Sequence, residues 1–265
     1  HIEIVKLLLN DKRVDINKAF NTGATPFLIA CENGHIEIVK LLLNDNRIDI
    51  NKATNDSSTP FYIACENGNI ELVKLLLNDN RVDISKVQSE GATPFYVVCQ
   101  NGHLEIVKLL LNDNRVDISR VDVNKCLKTN STNNGETPFY IACSKGHIDI
   151  VKLLLSDERV DINQAKNDGA TPFYIACECG QIDIVKNLLE CRRGMDINKA
   201  MIEGATSFWI ACGWGHTEIV KLLLNDKRVD VNQTETSIGA TPFYIACQEG
   251  YIEIVKLLLN DQRVD

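Results

Sequence analysis

The histidines and cysteines of this chain are the side chains with the most potential for catalysis or metal binding. A cysteine thiolate can act as a nucleophile, and a neutral histidine can act as a general base or a metal ligand. The chain contains ten cysteines and five histidines. The histidines are His1, His35, His103, His147 and His216. Most cysteines end an Ile-Ala-Cys run or a close variant of it, at Cys31, Cys65, Cys99, Cys143, Cys177, Cys212 and Cys247.

The regular placement of these residues argues against catalysis. Each histidine opens an equivalent segment, and Asn69, Gln181 or Tyr251 takes the same place in other segments. A general base or a metal ligand would not tolerate such replacements. Cys177 and Cys179 form a lone C-x-C pair without the paired spacing of a zinc site. Because phosphate-loop, G-x-S-x-G and H-E-x-x-H motifs are also absent from the sequence, we predict a non-catalytic chain with no metal site and no cofactor.

The triplet Thr-Pro-Phe recurs along the chain and contains all six of its prolines. It begins at Thr25, Thr59, Thr93, Thr137, Thr171 and Thr241, and a variant stands at Thr206-Ser207-Phe208. Successive copies lie 34, 34, 44, 34, 35 and 35 residues apart. A fixed period of this size predicts stacked repeats that share their core with their neighbours, instead of a globule with one central site.

One repeat, residues 15–49, predicts two helices and a finger-like connection. Thr25 suits the N-cap of a first helix, Pro26 suits its first position, and Gly34 suits the left-handed residue that ends it. A second helix follows from His35 and is apolar except for one narrow stripe, which contains Glu37 and Lys40. Such a wide apolar face predicts that the second helix is covered on several sides, with the stripe facing solvent. The segment after it alternates briefly and predicts a hairpin-like finger between repeats.

The repeated cysteines are predicted to be small buried apolar residues. Equivalent residues in stacked helices lie roughly 8–10 Å apart, whereas a disulfide requires Cα atoms within about 7 Å. We therefore expect no pairing among these cysteines and a reducing environment, which indicates an intracellular, cytoplasmic protein.

These motifs resemble those of the ankyrin repeat, and the resemblance covers essentially the whole chain. The version here reads Thr-Pro-Phe-Tyr-Ile-Ala-Cys, then Gly-His-Ile-Glu-Ile-Val-Lys-Leu-Leu-Leu, then Val-Asp-Ile-Asn. The resemblance implies an all-α solenoid of stacked helix-turn-helix units with hairpin-like fingers. Residues 1–265 would form a single array, with seven signatures beginning at residues 25, 59, 93, 137, 171, 206 and 241. The array would be a fragment of a longer one, because no polar capping repeat is visible at either end.

Three departures from the family pattern are visible in the sequence. The histidine that follows the family's Thr-Pro-Leu is replaced by Tyr62 and its equivalents, and by Trp209 once. After the second helix, Asn-Asp-x-Arg stands where the family usually has glycine, and Asn or Asp there could adopt the left-handed cap. The finger at residues 118–136 is ten residues longer than the first one. That insertion is either part of a binding face or a tolerated loop.

The charge of the chain narrows the class of partner. The formal net charge is −8 and the isoelectric point is about 5.2. An acidic chain is poorly suited to nucleic acids or to anionic membranes. No apolar run approaches the roughly 18 residues of a spanning helix, so we expect no membrane insertion. No feature indicates a small-molecule substrate.

The family resemblance implies a protein-binding scaffold whose partner docks on the concave side, formed by the fingers and first helices. The candidate partner-binding residues on that side are Trp214, Trp209, Met201, Ile202, Phe20, Glu32, Glu66 and Glu178. We expect Trp214 to be exposed and Trp209 to pack internally, and the glutamates favour a partner with a basic segment. The alternative is a structural spacer within a larger channel, kinase or effector. The apolar residues Ile2, Ile4 and Leu7 would favour end-to-end self-association.

Overall fold

The computed structural model describes residues 1–113, 115, 135–191 and 193–265. Within these residues the chain forms fifteen α-helices and no β-strand. The all-helical prediction is therefore confirmed. The chain divides into two compact units, unit 1 (His1–Thr129) and unit 2 (Asn130–Asp265). The predicted insertion at residues 118–136 lies outside the described residues except for its last two positions.

Unit 1 begins with a second helix, and three pairs of first and second helices follow. Its helices are α1 (Ile2–Asn10), α2 (Pro26–Glu32), α3 (Ile36–Leu43), α4 (Pro60–Glu66), α5 (Ile70–Leu77), α6 (Pro94–Asn101) and α7 (Leu104–Leu111). The first helices α2, α4 and α6 pack on one another in order, and so do the second helices α1, α3, α5 and α7.

Unit 2 contains four pairs of first and second helices, packed in the same manner. Its helices are α8 (Pro138–Lys145), α9 (Ile148–Leu155), α10 (Pro172–Glu178), α11 (Ile182–Glu190), α12 (Ser207–Gly213), α13 (Thr217–Asn225), α14 (Pro242–Gln248) and α15 (Ile252–Leu259). Each first helix contacts its own second helix and the first helix of the adjoining pair. This arrangement is the repeating helix-turn-helix stack that the period predicts.

A threonine caps every first helix, as predicted. Its Oγ1 accepts a hydrogen bond from the backbone N–H three residues later, at 3.0–3.1 Å in all seven first helices described. Thr25 and Thr137 are fully buried, so the bond satisfies polar groups that have no access to water. Proline occupies the first helical position except in α12, where Ser207 stands instead.

Glycine ends the first helices in the left-handed region, as predicted. Gly34 has φ +67° and Gly102 has φ +78°, values that L-residues with a Cβ rarely adopt. A second constraint acts at Gly68, where an added Cβ would lie 2.4 Å from Cε1 of His103 in the next repeat. The turn between the two helices is therefore restricted both by its own backbone and by the neighbouring repeat.

The ends of the second helices differ from the expectation of a left-handed asparagine or aspartate. Asn44 and Asn78 cap their helices with φ −74° and −72°, in the right-handed region. The last carbonyl oxygens of these helices accept hydrogen bonds from the turn that follows. For example, the Asp45 N–H donates to the carbonyl oxygen of Leu42 at 3.0 Å. Among the described non-glycine residues, Ser57 has a positive φ, at the finger position that is glycine in other repeats.

Arginine and asparagine side chains tie each repeat to its neighbour. Arg47 donates to the carbonyl oxygen of Leu9 at 2.8 Å, at the end of the preceding second helix, while it also pairs with Asp45. The hydrogen bonds from Arg47 lower the pKa of Asp45 to about 2. Asn51 donates to the carbonyl oxygen of Arg81 at 2.7 Å and accepts from the Asp83 N–H at 2.8 Å. Similar inter-repeat bonds form at Arg81, Arg115, Arg193, Arg228, Arg263, Asn17, Asn163, Asn198 and Asn232.

The outward stripe of the second helices is solvated, as predicted. Lys40 pairs with Glu37 at 2.7 Å and Lys108 with Glu105 at 2.6 Å, and all four side chains are substantially exposed. Exposed pairs three residues apart stabilise a helix by only about 0.2–0.5 kcal/mol each. The stripe therefore keeps the outer face polar and adds little to the stability of the stack.

Ser207→Pro should stabilise the protein. The buried Ser207 hydroxyl has no hydrogen-bond partner, and Thr206 has φ −93° and ψ 170°, an extended conformation that suits the residue before a proline. We expect a gain of about 1 kcal/mol in the free energy of unfolding, measured by urea denaturation.

The matched control is Ser58→Pro, because the Ser58 N–H donates to the Thr54 Oγ1 at 3.1 Å and that bond would be lost. The control should destabilise the protein. A lower urea midpoint for Ser207→Pro would contradict this reading of the α12 N-terminus.

Asn51→Ala should destabilise unit 1, because it removes two hydrogen bonds between repeats. The expected loss is about 1–2 kcal/mol, with faster hydrogen exchange of the Asp83 amide. Asn44→Ala is the control, since Asn44 is exposed on the outer stripe. Equal effects of the two substitutions on urea unfolding would show that the Asn51 bonds contribute nothing to stability.

Candidate partner-binding surface

Two of the five histidines, His103 and His216, act as polar links between repeats. The His103 Nε2–H donates to the carbonyl oxygen of Glu66 at 3.0 Å, and the His216 Nε2–H donates to that of Glu178 at 2.8 Å. Gln181, at an equivalent position, donates to the carbonyl oxygen of Ser144 at 3.3 Å. In the part of the chain that the structure describes, no cluster of His, Cys, Asp and Glu has the arrangement of a metal site.

The fingers and first helices of each unit form what we call the first-helix surface. Each finger within the described residues closes with a short turn, as in the bond from the Phe20 N–H to the carbonyl oxygen of Ala24 at 2.9 Å. Neighbouring tips are joined by backbone hydrogen bonds of 2.8 Å, from Ser89 to Asp56 in unit 1 and from Ile202 to Asp168 in unit 2. The tips thus form an ordered edge that holds their side chains at a regular spacing.

Unit 1 contains three of the predicted partner-binding residues. Phe20 is 68% exposed at the first fingertip, and Glu32 and Glu66 are exposed at the ends of α2 and α4. Desolvation and the negative charge of Asp56 raise the pKa of Glu66. The repulsion between these carboxylates means that a cation placed near them would be stabilised.

Unit 2 contains the other five predicted partner-binding residues. Ile202 is 75% exposed on its fingertip and Trp214 is 58% exposed just after α12. Met201 is partly buried. Its backbone closes the finger turn, because its N–H donates to the carbonyl oxygen of Ala205 and its carbonyl oxygen accepts from the Gly204 N–H. The exposure expected for Trp214 is therefore observed.

Trp209 is partly buried, and its indole N–H donates to the carbonyl oxygen of Ala240 at 3.0 Å. This bond joins α12 to the finger of the next repeat, so the inward packing expected for Trp209 is observed. Trp209 also lies against Gly213, where an added Cβ would approach its ring at 3.8 Å. Only part of the ring can contact a partner.

The structure does not bring the apolar candidates of unit 2 into one cluster. Ile202 precedes α12 and Trp214 follows it, and a seven-residue helix is about 10 Å long. A partner that uses both side chains must therefore extend along the helix. Glu178, partly buried at the end of α10, lies on the same surface; desolvation raises its pKa, nearby Lys166 lowers it, and Asp168 raises it.

On the first-helix surface, two exposed apolar residues were missed by the sequence analysis. Ile238 is 71% exposed and Tyr244 is 51% exposed, in the finger and first helix of the last repeat. Ile238 could have been found, because an isoleucine between Ser237 and Gly239 is unusual for an otherwise polar tip. The exposure of Tyr244 could not, because its equivalents Tyr62 and Tyr174 are buried.

Burial of the repeated cysteines is confirmed for six of the seven. Cys65, Cys99 and Cys143 are fully buried. Their equivalents Cys31, Cys177 and Cys212 are at most 1% exposed. The prediction is wrong for Cys247, which is exposed. No further first helix packs over α14 in the described residues, so this side chain lacks the cover that the others have.

The comparisons with known proteins agree with this geometry. A family model described as "Ankyrin repeats (3 copies)" matches residues 1–54, 46–122, 118–201 and 193–265. No curated protein matches the chain. Among the described residues, every helix is too short or too polar to cross a bilayer.

Thiol reactivity should follow this pattern of burial. Burial raises the pKa of Cys31 to about 12 and also raises that of Cys65, so both thiols stay protonated at pH 8. Cys179 and Cys247 are exposed, so a reagent in solution can reach them. Iodoacetamide at pH 8 should alkylate the exposed Cys179 and Cys247 at least about tenfold faster than the buried Cys31 and Cys65. Peptide mass spectrometry measures the rates.

The control is the same reaction in guanidinium chloride, where the differences in rate should vanish. Alkylation of Cys65 in the native protein as fast as that of Cys179 would contradict the packing of the first helices.

Proposed function

Because the chain belongs to the ankyrin-repeat family, we propose that it is a non-catalytic scaffold that binds a partner protein on its first-helix surface. Ankyrin repeats are generally protein–protein interaction modules. The observation that carries the proposal is the exposure of Trp214 on the first-helix surface, where Ile202 is exposed as well. Large exposed aromatic side chains are where binding energy concentrates in protein interfaces.

The repeated architecture supports a binding role over an enzymatic one. The buried positions are nearly the same in every described repeat, and His103 and His216 serve as links between repeats. Sequence differences are concentrated at the fingertips and at the ends of first helices, such as Ile202 and Trp214. Specificity for one partner is therefore encoded at these exposed positions.

We further propose that the partner contributes a basic segment. Glu66 and Asp56 repel each other on the surface of unit 1. In unit 2, Lys166 already pairs with Asp168 at 3.0 Å and lowers the pKa of Glu178, which shows how a cation is accommodated beside such carboxylates. A lysine or arginine side chain placed between such carboxylates would relieve that repulsion. The acidic balance of the chain also makes nucleic acid an unfavourable partner.

A spacer role is the second candidate, and the inter-repeat hydrogen bonds favour it. Bonds such as Arg47 to Leu9 and Asn51 to Arg81 brace every described junction in each unit. Braced repeats would separate flanking domains even without a partner of their own. A single continuous array over residues 1–265, a cytoplasmic location and end-to-end association through Ile2, Ile4 and Leu7 stay predictions of the sequence.

Trp214→Ala should weaken binding of a partner isolated with the immobilised chain and then purified. We expect a loss of about 2 kcal/mol, which is roughly thirtyfold in Kd, because an exposed tryptophan would lose its whole contact. Biolayer interferometry measures the change. Leu259→Ala is the matched control, since Leu259 is 69% exposed and lies on a second helix of the same unit, α15.

Glu66→Gln should reduce affinity for a basic partner several-fold at low salt, and this effect should fade as salt screens the charges. Glu105→Gln is the control, because Glu105 is exposed on the outer stripe of α7. If neither salt nor Trp214→Ala nor Glu66→Gln changes the affinity, the first-helix surface is not the binding site and the spacer role is favoured.

A further inference from the structure

The finger before α10 carries a lysine that the carboxylates of its own repeat hold in place. The Lys166 Nζ pairs with Asp168 at 3.0 Å and lies 5.8 Å from the centre of the Tyr140 ring, and the lysine side chain is 15% exposed. Burial raises the pKa of Glu178 at the end of α10, and the charge of Lys166 lowers it. Unit 2 thus contains a corner, formed by a fingertip carboxylate and a helix-end carboxylate, that an ammonium group already occupies.

Unit 1 has an equivalent corner, which we call the acidic corner and define as Asp56 and Glu66. Asp56 lies on the fingertip and Glu66 at the end of α4, ten residues apart, as are Asp168 and Glu178. Both side chains of the acidic corner belong to exposed residues. Desolvation and the charge of Asp56 raise the pKa of Glu66, so this pair lacks the compensation that Lys166 gives the pair in unit 2.

The two corners differ at the residue that supplies the cation. Thr54 stands where unit 2 has Lys166, two residues before the fingertip carboxylate in each case. Its short side chain donates a hydrogen bond to the Asp56 carboxylate but carries no charge. Unit 1 also has Leu28 at the place of Tyr140, so a cation here would be held by carboxylates and not by an aromatic ring.

The acidic corner lies inside the stack of unit 1. Helix α4 packs against α2 on one side and α6 on the other, just as α10 packs between α8 and α12. The exposure of the corner is therefore a property of an internal repeat. The next fingertip adds a third carboxylate: burial raises the pKa of Tyr62, and the charges of Glu66 and Glu90 raise it further. The negative potential at this place favours a cation.

We propose that the acidic corner is a subsite for one lysine of the partner's basic segment, whose side chain lies along Thr54 and whose ammonium group pairs with Asp56 beside Glu66. Lys166 has this arrangement in unit 2, with one carboxylate in contact and a second near it. An ammonium group suits it better than a guanidinium group, which favours two parallel hydrogen bonds to one carboxylate. This subsite rests on the proposed function, because it names the group that the first-helix surface recognises.

The first test titrates the blocked peptide Gly-Gly-Lys-Gly-Gly into the full chain at low salt and follows amide chemical shifts. We expect saturable shifts centred on residues 54–56 and 66, and none at the filled corner of unit 2. The same peptide with norleucine should give no saturable shifts, because it keeps the lysine stem without the charge. Absence of saturable binding by the lysine peptide, equal binding of the norleucine peptide, or tighter binding of an arginine peptide would overturn the proposal.

Thr54→Lys should fill the acidic corner from within and weaken peptide binding at least about tenfold. The Ser58 N–H, which donates to the Thr54 Oγ1 at 3.1 Å, keeps the Asp56 carboxylate at 3.5 Å as an acceptor, so circular dichroism should be unchanged. Asn80→Lys is the matched control, because it adds the same charge at an exposed position after α5. Equal affinity of the wild type and Thr54→Lys would contradict the subsite.

Lys166→Thr should open a second site in unit 2, with new saturable shifts at Asp168 and Glu178. A folding defect cannot produce such a gain. Lys186→Thr is the control, since Lys186 pairs with Asp183 at 3.5 Å on the outer stripe of α11 and its removal should open no site. If Lys166→Thr gives no new shifts, the comparison between the two corners is wrong and the proposal fails.

The purified partner separates the failure of this subsite from the failure of the proposed function. If the subsite is correct, Thr54→Lys and Glu66→Gln should each reduce the affinity of the partner several-fold. If Trp214→Ala reduces it but Thr54→Lys does not, the lysine subsite is wrong and the proposed function stands. If none of the three variants changes it, the proposed function fails and the subsite fails with it.

Discussion

The structure depends on apolar burial between repeats, because one repeat is too thin to cover its own apolar faces. The phenylalanines of the Thr-Pro-Phe triplets, such as Phe27 and Phe139, are completely buried. Each lies in a first helix that packs against its own second helix and against neighbouring first helices. The contrast between α5, which buries Leu72, Val73 and Leu76, and α1, which buries no residue, shows what neighbours on both sides contribute. Each buried Leu-sized side chain is worth about 1.5–3 kcal/mol.

Polar groups at the junctions set the spacing between repeats. Burial alone is non-directional, so the register needs bonds with geometry. Threonine caps satisfy the starts of first helices, and arginines such as Arg47 reach the last carbonyls of preceding second helices. Asn51 bonds to the next repeat through both its amide and its carbonyl. Because the arginine bond recurs at every described junction within a unit, apolar packing and polar pairing favour the same alignment.

The same constraint determines where function can reside. Core positions must repeat, so they carry little information that distinguishes one partner from another. Fingertips and helix ends are free to differ, and they include Ile202, Trp214 and Ile238. Near-identical units do not by themselves assemble the asymmetric set of groups that catalysis requires. Recognition by exposed side chains is the activity that we propose for these repeats.

Local patterns in the sequence determined the repeat, the helix pairs, the threonine caps, the glycine ends and the solvated stripe, because each depends on residues within a few positions of one another. The burial of Cys65 and its equivalents followed from the period as well. Only the tertiary structure decided the bond from Arg47 to Leu9, the bond from Trp209 to Ala240 and the exposure of Cys247. The two hydrogen bonds each join a side chain to a carbonyl oxygen of another repeat. The exposure of Cys247 arises because no further first helix packs against α14 in the described residues. Hydrophobic period predicts that neighbours meet, but distance and geometry decide which atoms pair.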